Sequence, residues 1–154
     1  SVKRVYQAVA NGLLTGSGVV DQPIGRHPRQ RIKMAVVSDG KEARTHYSVL
    51  QRFHGHSHIK LQLETGRTHQ IRVHMAHLNH PLVGDSLYAG RFKIQKGTSA
   101  EFIDFLRNFE RQALHAAELA LIHPHTGEEV SWSSPLPADF EALLARLGDE
   151  QSRL

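Results

Sequence analysis

The sequence predicts an α+β fold, built as a mostly antiparallel mixed sheet with a few packed helices. Several short stretches alternate apolar and polar residues, which is the pattern of half-buried strands. Turn residues such as Gly, Asn, Asp and Pro separate these stretches at short intervals, as antiparallel connections require. Three other stretches repeat apolar residues every three to four positions, as helices do. Many strands combined with three helices favour the α+β class.

The first third of the chain predicts three strands. Residues 3–10 alternate and predict a strand that ends at the Asn-Gly turn signal of residues 11–12. A short second strand begins at residues 19–20, and the Pro- and Gly-bounded segment 21–25 breaks regular structure. Residues 33–37 predict a third, short strand.

Two longer strands follow. Asp39-Gly40 is a hairpin signal, after which residues 42–54 predict a long strand. Gly55 marks a turn into a further strand over residues 57–64. The longer strand places four side chains on one face, namely Ala43, Thr45, Tyr47 and Val49.

A short helix beginning near His69 comes next. Thr68 is a candidate N-cap, and Asn79 can end the helix in a left-handed conformation before Pro81 forbids its continuation. The spacing i, i+4, i+7 predicts a buried stripe that consists of Ile71, Met75 and Leu78.

The remaining elements are a loop, two helices and two strands. Residues 84–97 predict a loop with short strand pieces, and residues 99–110 predict a helix with its Phe side chains inward. Strands are predicted at residues 113–123 and 128–133. The last helix is predicted over residues 137–147, with Pro at its start and Gly148 after its end.

Composition limits the function classes. The chain has 154 residues, which suits one domain or a large piece of one, and it has no cysteine, which excludes disulfides and thiolate metal sites. No apolar run is long enough to cross a membrane, and we expect a cytoplasmic protein with no membrane partner. The net charge of +4 suits a polyanionic partner. The densest basic patch lies on a predicted loop and consists of Arg26, His27, Arg29, Arg31 and Lys33.

Residues 61–85 carry the most specific pattern. Residues 66–74 read GRTHQIRVH and residues 80–85 read HPLVGD, which resembles the third motif of the RluA-like pseudouridine synthases. The resemblance extends to KRVYQAV at residues 3–9 and VDQPIGR at residues 20–26. It also includes QALHA and WSSPLP further along the chain, and it is closest to the RluD branch, which modifies uridines in large-subunit ribosomal RNA. We therefore expect part of a pseudouridine synthase catalytic-domain fold.

The resemblance implies an activity and roles for particular residues. Members of the family isomerise uridine to pseudouridine with an Asp nucleophile and use no cofactor or metal, so none is expected here. Arg72 matches the arginine that pairs with the nucleophile, and Tyr6 matches the tyrosine beside the uracil. Leu82 or Val83 matches the residue that packs on the base. RNA phosphates are expected to contact Arg67 and the loop residues Arg26, Arg29, Arg31 and Lys33.

The chain departs from the family pattern in one respect. The nucleophile motif R-L-D-x-x-T/S-G does not occur in it, and Asp85 is expected to be a structural turn cap. The nucleophile motif of the family precedes the strand tyrosine by some tens of residues. We therefore expect residues 1–154 to be the C-terminal portion of a catalytic domain, without the nucleophile-bearing segment and the N-terminal RNA-binding module.

Two expectations follow from this departure, and a third concerns the complete enzyme. The chain alone should be inactive, because Arg72 has no anion to orient. Missing strands should leave an unpaired sheet edge and exposed apolar surface. The complete enzyme is expected to be a monomer that binds large-subunit ribosomal RNA.

Other interpretations remain open from the sequence. A strand Tyr such as Tyr6 is most often a packing residue, Arg72 could form a structural ion pair, and the basic loop could simply be solvated. The chain could be a non-catalytic RNA-binding remnant. It could also be a metal-dependent hydrolase, because histidine clusters are common zinc ligands. The candidate ligands for that reading are His54, His56, His58, His74, His77, His80, His123 and His125.

Overall fold

A computed structural model describes residues 2–90 and 93–154. Its elements, in chain order, are β1 (Val2–Asn11), β2 (Ser17–Asp21), β3 (Ile24–Arg26), β4 (Met34–Val36), β5 (Arg44–Arg52), β6 (His56–Leu63), α1 (Gln70–His77), α2 (Ala100–Arg107), β7 (Leu114–Ile122), β8 (Glu129–Ser133) and α3 (Ala138–Arg153). The loop predicted over residues 84–97 includes residues 91 and 92, which lie outside the described residues. The rest of that segment consists of turns and irregular backbone.

One large sheet organises the molecule. Its six strands have the order β2-β5-β6-β1-β7-β8, and every pairing is antiparallel. Strands β3 and β4 form a separate two-stranded hairpin. Three helices pack against these strands, which confirms the predicted α+β class.

The hairpin signal at Asp39-Gly40 was wrong. The irregular backbone predicted for residues 21–25 is confirmed only at residues 22 and 23, because β2 ends at Asp21 and β3 begins at Ile24. Strand β4 pairs with β3, which lies partly within that segment, and not with β5. The reason is a close backbone approach: Ile24 and Lys41 exchange two N–H···O bonds of 2.9 Å. A side chain on Gly40 would lie 2.6 Å from the carbonyl carbon of Ile24, so only glycine fits there.

The two faces of the large sheet bury different helices. Ala8 and Ala10 face one side, where they pack with Leu61 of β6 and with Ile71 and Met75 of α1. The other side of β1 presents Val9 to α2 and α3. The buried side chains that those two helices supply are Phe102, Leu106, Phe140, Leu143 and Leu147.

Helix α3 runs past Gly148, where the sequence predicted its end. The final turns carry Glu150, whose carboxylate accepts bonds from the backbone N–H and the hydroxyl of Ser99, at 2.6 and 2.8 Å. Ser99 in turn caps α2 by accepting a bond from the N–H of Phe102. This tertiary contact orders a stretch that glycine would otherwise end.

Apolar side chains are exposed on the sheet at its β8 end. Leu119 and Trp132 are directly paired neighbours on β7 and β8, and they are 40% and 53% exposed. Val2, at the start of β1, is also exposed. Within the described residues no helix combines the length and the apolarity that crossing a membrane requires.

Candidate active site

The start of α1 is fixed by a side chain that the sequence did not single out. Thr68 was the predicted N-cap, but the cap position is His69, which has φ 55° and makes no side-chain capping bond. The Gln70 side chain fixes the start of the helix instead, and it uses both donors and both acceptor positions of its amide group. Its oxygen accepts bonds from the N–H of Arg67 and the hydroxyl of Thr65, and its nitrogen donates to the carbonyl oxygen of Arg44 and to Thr45 Oγ1.

The end of α1 follows the prediction. Asn79 has φ 66°, which is the left-handed conformation expected of it. The N–H of His80 donates to the carbonyl oxygen of Met75, and the N–H of Asn79 donates to that of Ala76, each at 2.9 Å. These two bonds form a Schellman motif, which ends the helix before Pro81.

His74 fastens α1 to the sheet. The side chain is fully buried, and Nε2 lies 2.8 Å from the carbonyl oxygen of Gln22, which can only accept. Nδ1 therefore accepts the hydroxyl proton of Thr45, at 2.8 Å. Burial lowers the pKa of His74, so the ring is neutral at physiological pH.

Arg72 has a carboxylate partner within this chain, so the expectation that it has no anion to orient was wrong. Its Nε and Nη2 donate to the two oxygens of Asp85, each at 2.9 Å. Asp85 is fully buried and Arg72 is partly buried, with side-chain exposures of 0% and 14%. The sequence missed this pair because the two residues are 13 positions apart and belong to separate local patterns.

Asp85 is also the turn cap that the sequence predicted. Its Oδ1 accepts bonds from the N–H groups of Leu87 and Tyr88, at 3.2 Å each. Both oxygens are therefore occupied, and neither is exposed to an incoming base. This geometry suits a carboxylate that orients its neighbours and does not suit a nucleophile.

One edge of the Arg72 guanidinium remains open. The pair with Asp85 uses Nε and Nη2, while Nη1 has no hydrogen-bond partner among the described residues. Because every buried side-chain nitrogen and oxygen of the described residues has a partner, Nη1 is not fully buried. The hydrogen bond to Asp85 raises the pKa of Arg72, so the group stays charged. A rigid, charged donor edge of this kind can bind a second carboxylate.

Tyr88 lies between Arg72 and the β3–β4 hairpin. Its ring centroid is 5.0 Å from Arg72 Cζ and 6.0 Å from Lys33 Nζ. Its hydroxyl accepts a bond from the N–H of Met34 at 3.0 Å and lies 2.7 Å from His69 Nδ1. The sequence does not predict a role for Tyr88, because nothing local to residues 85–90 indicates contacts with residues 33 and 34.

The predicted basic loop connects β3 and β4, and we call residues 26–33 the basic loop. It is folded and well connected, because Arg26 Nη1 donates to the carbonyl oxygen of Arg31 and His27 Nδ1 accepts two backbone N–H groups. Arg29 and Arg31 are exposed. Lys33 is half-buried against Tyr88, so this cation joins the loop to the surroundings of Arg72.

Tyr6 is half-buried on the face of the sheet that α1 covers. It pairs with Leu61 on β6 and packs against the cluster that contains Ile71. On the β7 side, the register shifts between Val5 and Tyr6, a bulge of the kind that redirects a side chain. Tyr6 and the residue before Arg72 thus belong to one packed cluster.

The other predicted site residues are held by the protein itself. Leu82 is fully buried and Val83 nearly so, in the clusters on opposite faces of the sheet, and packing accounts for both. Arg67 donates through Nε to the carbonyl oxygen of Glu42, at 2.7 Å. Their contacts with a base or with RNA phosphates stay predictions.

The histidines give the metal-site alternative no support. Within the described residues, no group of three or more His, Cys, Asp or Glu side chains could hold a metal ion. Three of the candidate histidines have partners of their own: His54 bonds to the carbonyl oxygen of Lys96, His56 packs edge-on against Phe102, and His58 bonds to Gln7.

The sequence is similar to known proteins of one family. The family model of the RNA pseudouridylate synthases matches residues 1–77. The chain is 54% identical over 151 residues to a ribosomal large subunit pseudouridine synthase D of Pseudomonas aeruginosa, covering 98% of this chain and 47% of that protein. The protein of the same name from Escherichia coli is 54% identical over 143 residues, covering 93% of this chain and 44% of its own length. The chain thus spans about half the length of these curated relatives.

Solved structures give the same result. Human RNA Pseudouridylate Synthase Domain Containing 1 superposes with a TM-score of 0.71 at 29% identity, over 94% of this chain and 58% of that one. Human RNA Pseudouridylate Synthase Domain Containing 4 gives 0.72 at 28% identity, over 96% and 62%. This chain belongs to the RNA pseudouridylate synthase family.

Proposed function

We propose that this chain presents Arg72 and Tyr6 to a uridine of large-subunit ribosomal RNA, as part of an enzyme that isomerises the uridine to pseudouridine. The nucleophilic aspartate of that enzyme lies on polypeptide outside these 154 residues. The relatives named for large-subunit ribosomal RNA support the choice of substrate. We further propose a cytoplasmic location, in keeping with that substrate.

The open edge of the Arg72 guanidinium is the observation that carries the proposal. Asp85 holds one edge of the group, so the other edge has a fixed direction before any partner arrives. A carboxylate bound there would be kept ionised and aligned, because a neighbouring cation favours the charged form of an acid. An ionised, aligned carboxylate is what is needed to start detachment of uracil from its ribose.

The aspartates of this chain do not offer that nucleophile. Asp85 is buried and engaged, while Asp21 and Asp139 are paired with Arg44 and Arg111 on the surface. The exposed Asp39, Asp104 and Asp149 lie outside any pattern of the family motif. The exposed apolar strip that contains Leu119 and Trp132 also supports a missing piece, since it is the kind of surface that further polypeptide covers.

The basic loop supplies the proposed contacts with RNA. Its exposed arginines suit phosphates on either side of a uridine that has been flipped out of its stack. Tyr6 would then offer an aromatic face to the uracil. Lys33 of the loop and Arg72 both contact the Tyr88 ring, at 6.0 and 5.0 Å from its centroid, as one continuous site requires.

A fused protein tests the proposal. The upstream portion of the Pseudomonas aeruginosa relative, joined to this chain, should release tritium from carbon 5 of uracil in large-subunit ribosomal RNA. The chain alone should release none. Arg72→Ala should lower turnover of the fused protein by about 100-fold, as loss of alignment does. Arg146→Ala is the matched control, because Arg146 lies on α3 over Phe105, on the other face of the sheet.

Each result has a distinct meaning. Tritium release by the chain alone would show that the nucleophile lies within it. Equal activities of the Arg72 and Arg146 variants would remove Arg72 from the site. A folded fused protein that binds ribosomal RNA in a salt-dependent way without turnover would favour a non-catalytic RNA-binding remnant.

A further inference from the structure

We infer that Tyr88 is a positioning residue that holds the Arg72 guanidinium and the basic loop in one fixed arrangement. The inference rests on the proposed function, because it gives Tyr88 a part in that same site. Tyr88 does this with two separate parts of its side chain, the hydroxyl and the ring.

The hydroxyl of Tyr88 fastens the β3–β4 hairpin to the start of α1. Met34 is paired with Arg26 in the hairpin, yet its N–H donates to Tyr88 Oη at 3.0 Å. The same hydroxyl lies 2.7 Å from Nδ1 of His69, the residue with φ 55° at the N-cap position of α1. One oxygen therefore joins the start of β4, directly after the basic loop, to the helix that carries Arg72.

The ring of Tyr88 restricts the two cations beside it. Arg72 Cζ lies 5.0 Å and Lys33 Nζ 6.0 Å from the ring centroid, both within the range of a cation–π contact. The ring covers the guanidinium while Asp85 holds one of its edges. Together they leave Nη1 in a single orientation.

Tyr88 is itself held by the carboxylate that pairs with Arg72. Asp85 Oδ1 accepts the N–H of Tyr88 at 3.2 Å, and the N–H of Ala89 donates to the carbonyl oxygen of Asp85 at 3.0 Å. The ring also packs against the buried cluster of Ile24, Ala43 and Val73. Tyr88 is thus held at its backbone by Asp85 and at its hydroxyl by Met34. A displacement of the loop would therefore move the ring that contacts Arg72.

This arrangement makes RNA contact and arginine alignment interdependent. Phosphates that bind the basic loop would attract Lys33 and would shift the backbone at Met34. Both residues contact Tyr88. The Tyr88→Phe variant separates the two parts, because it keeps the ring over Arg72 and removes the hydroxyl. The Tyr88→Leu variant removes both.

Hydrogen exchange on this chain tests the hydroxyl contact without RNA. In Tyr88→Phe we expect the amide of Met34 to exchange at least about fivefold faster, which corresponds to one hydrogen bond, while amides in β1 and α3 are unchanged. Tyr47→Phe is the matched control, because Tyr47 is also half-buried on the α1 face of the sheet. Unchanged exchange at Met34, or equally faster exchange throughout the chain, would overturn the inference.

Kinetics of the fused protein test the coupling. Tyr88→Phe should raise the KM for ribosomal RNA by about fivefold and leave kcat near its original value, since the ring still covers Arg72. Tyr88→Leu should lower kcat as well. If both variants behave like Tyr47→Phe, Tyr88 has no positioning role. If the unsubstituted fused protein is inactive, the proposed function fails, while the exchange experiment still decides whether Tyr88 holds the loop.

Discussion

The two faces of the central sheet carry helices that are attached in different ways. Helices α2 and α3 bind through apolar side chains such as Phe102, Phe140 and Leu143. Helix α1 adds a polar network to its apolar stripe, in which Gln70 and His74 both bond to Thr45. Its flank carries the Arg72–Asp85 pair, and no buried polar side-chain atom in the described residues lacks a partner.

The apolar contacts of the α2/α3 face mainly determine stability, whereas the polar contacts of the α1 face mainly determine the orientation of side chains. Apolar contacts are non-directional and contribute mainly to the free energy of folding. Hydrogen bonds and ion pairs fix directions, and each loses its effect when one partner is removed. Substitutions on the α2/α3 face should therefore lower stability, whereas substitutions on the α1 face should alter the orientation of Arg72.

The largest expected effect lies on the apolar face. Phe140→Ala should lower the free energy of unfolding by about 3–5 kcal/mol, because the fully buried ring leaves a cavity. Denaturant titration measures this loss. Phe105→Ala, at the half-exposed edge of the same cluster, should cost clearly less. Equal losses at both positions would show that the α2/α3 layer is not a close-packed core.

The pH dependence of stability comes next. Burial, followed by the charge of His54, lowers the pKa of His56 from 6.5 to about 4. The folded state therefore binds fewer protons than the unfolded state, so this stabilisation is complete above pH 6.5 and is lost as the pH falls toward 4. The change amounts to about 3 kcal/mol.

The variant His56→Leu isolates this contribution. Its free energy of unfolding should fall less steeply between pH 6.5 and 4, with the remaining slope due to groups such as His74, whose pKa burial also lowers. His125→Leu, at an exposed position, is the control and should keep the original slope. Identical slopes for all three proteins would contradict the assignment.

On the α1 face, we expect energetic coupling between Arg72 and Asp85. A double-mutant cycle with Arg72→Ala and Asp85→Ala should give a coupling energy of about 1–3 kcal/mol, because the two side chains form two bonds of 2.9 Å. Denaturant titration of the four proteins supplies the number. Additive losses would mean that the pair seen here contributes no direct attraction in solution.

The smallest expected effect concerns the end of α1. Asn79 has φ 66°, so Asn79→Ala should lower the free energy of unfolding by about 1 kcal/mol, whereas Asn79→Gly should be neutral or slightly stabilising. Thermal or chemical unfolding distinguishes the two. If alanine is tolerated as well as glycine, the helix does not end in the left-handed conformation.

Local signals predicted much of the fold. Alternation identified the long strands, and Asn79 with Pro81 identified the end of α1, because each of these features depends on neighbours in sequence. The pattern of residues 66–74 predicted the α1 region, while the site role that it assigns to Arg72 stays a prediction. These are the features for which a few adjacent residues decide the structure.

Contacts between distant residues could not be predicted in the same way. Glu150 stabilises the last turns of α3 by bonding to Ser99, 51 residues away, and Tyr88 reaches Met34, 54 residues away. The sequence treated Asp85 as a turn cap, which is correct, but not as the partner of Arg72. The Asp85 carboxylate both caps the turn and pairs with Arg72. A local sequence pattern can indicate the turn cap but not the pairing.

The Arg72 side chain offers the most direct test of the account. In nuclear magnetic resonance of the isolated chain at neutral pH, the Nε–H of Arg72 should give a sharp signal that exchanges slowly with water and disappears in Asp85→Asn. The Nε–H of Arg146 should exchange rapidly in both proteins. An Arg72 signal that exchanges as fast as that of Arg146, before and after the substitution, would contradict a guanidinium held ready for a second carboxylate.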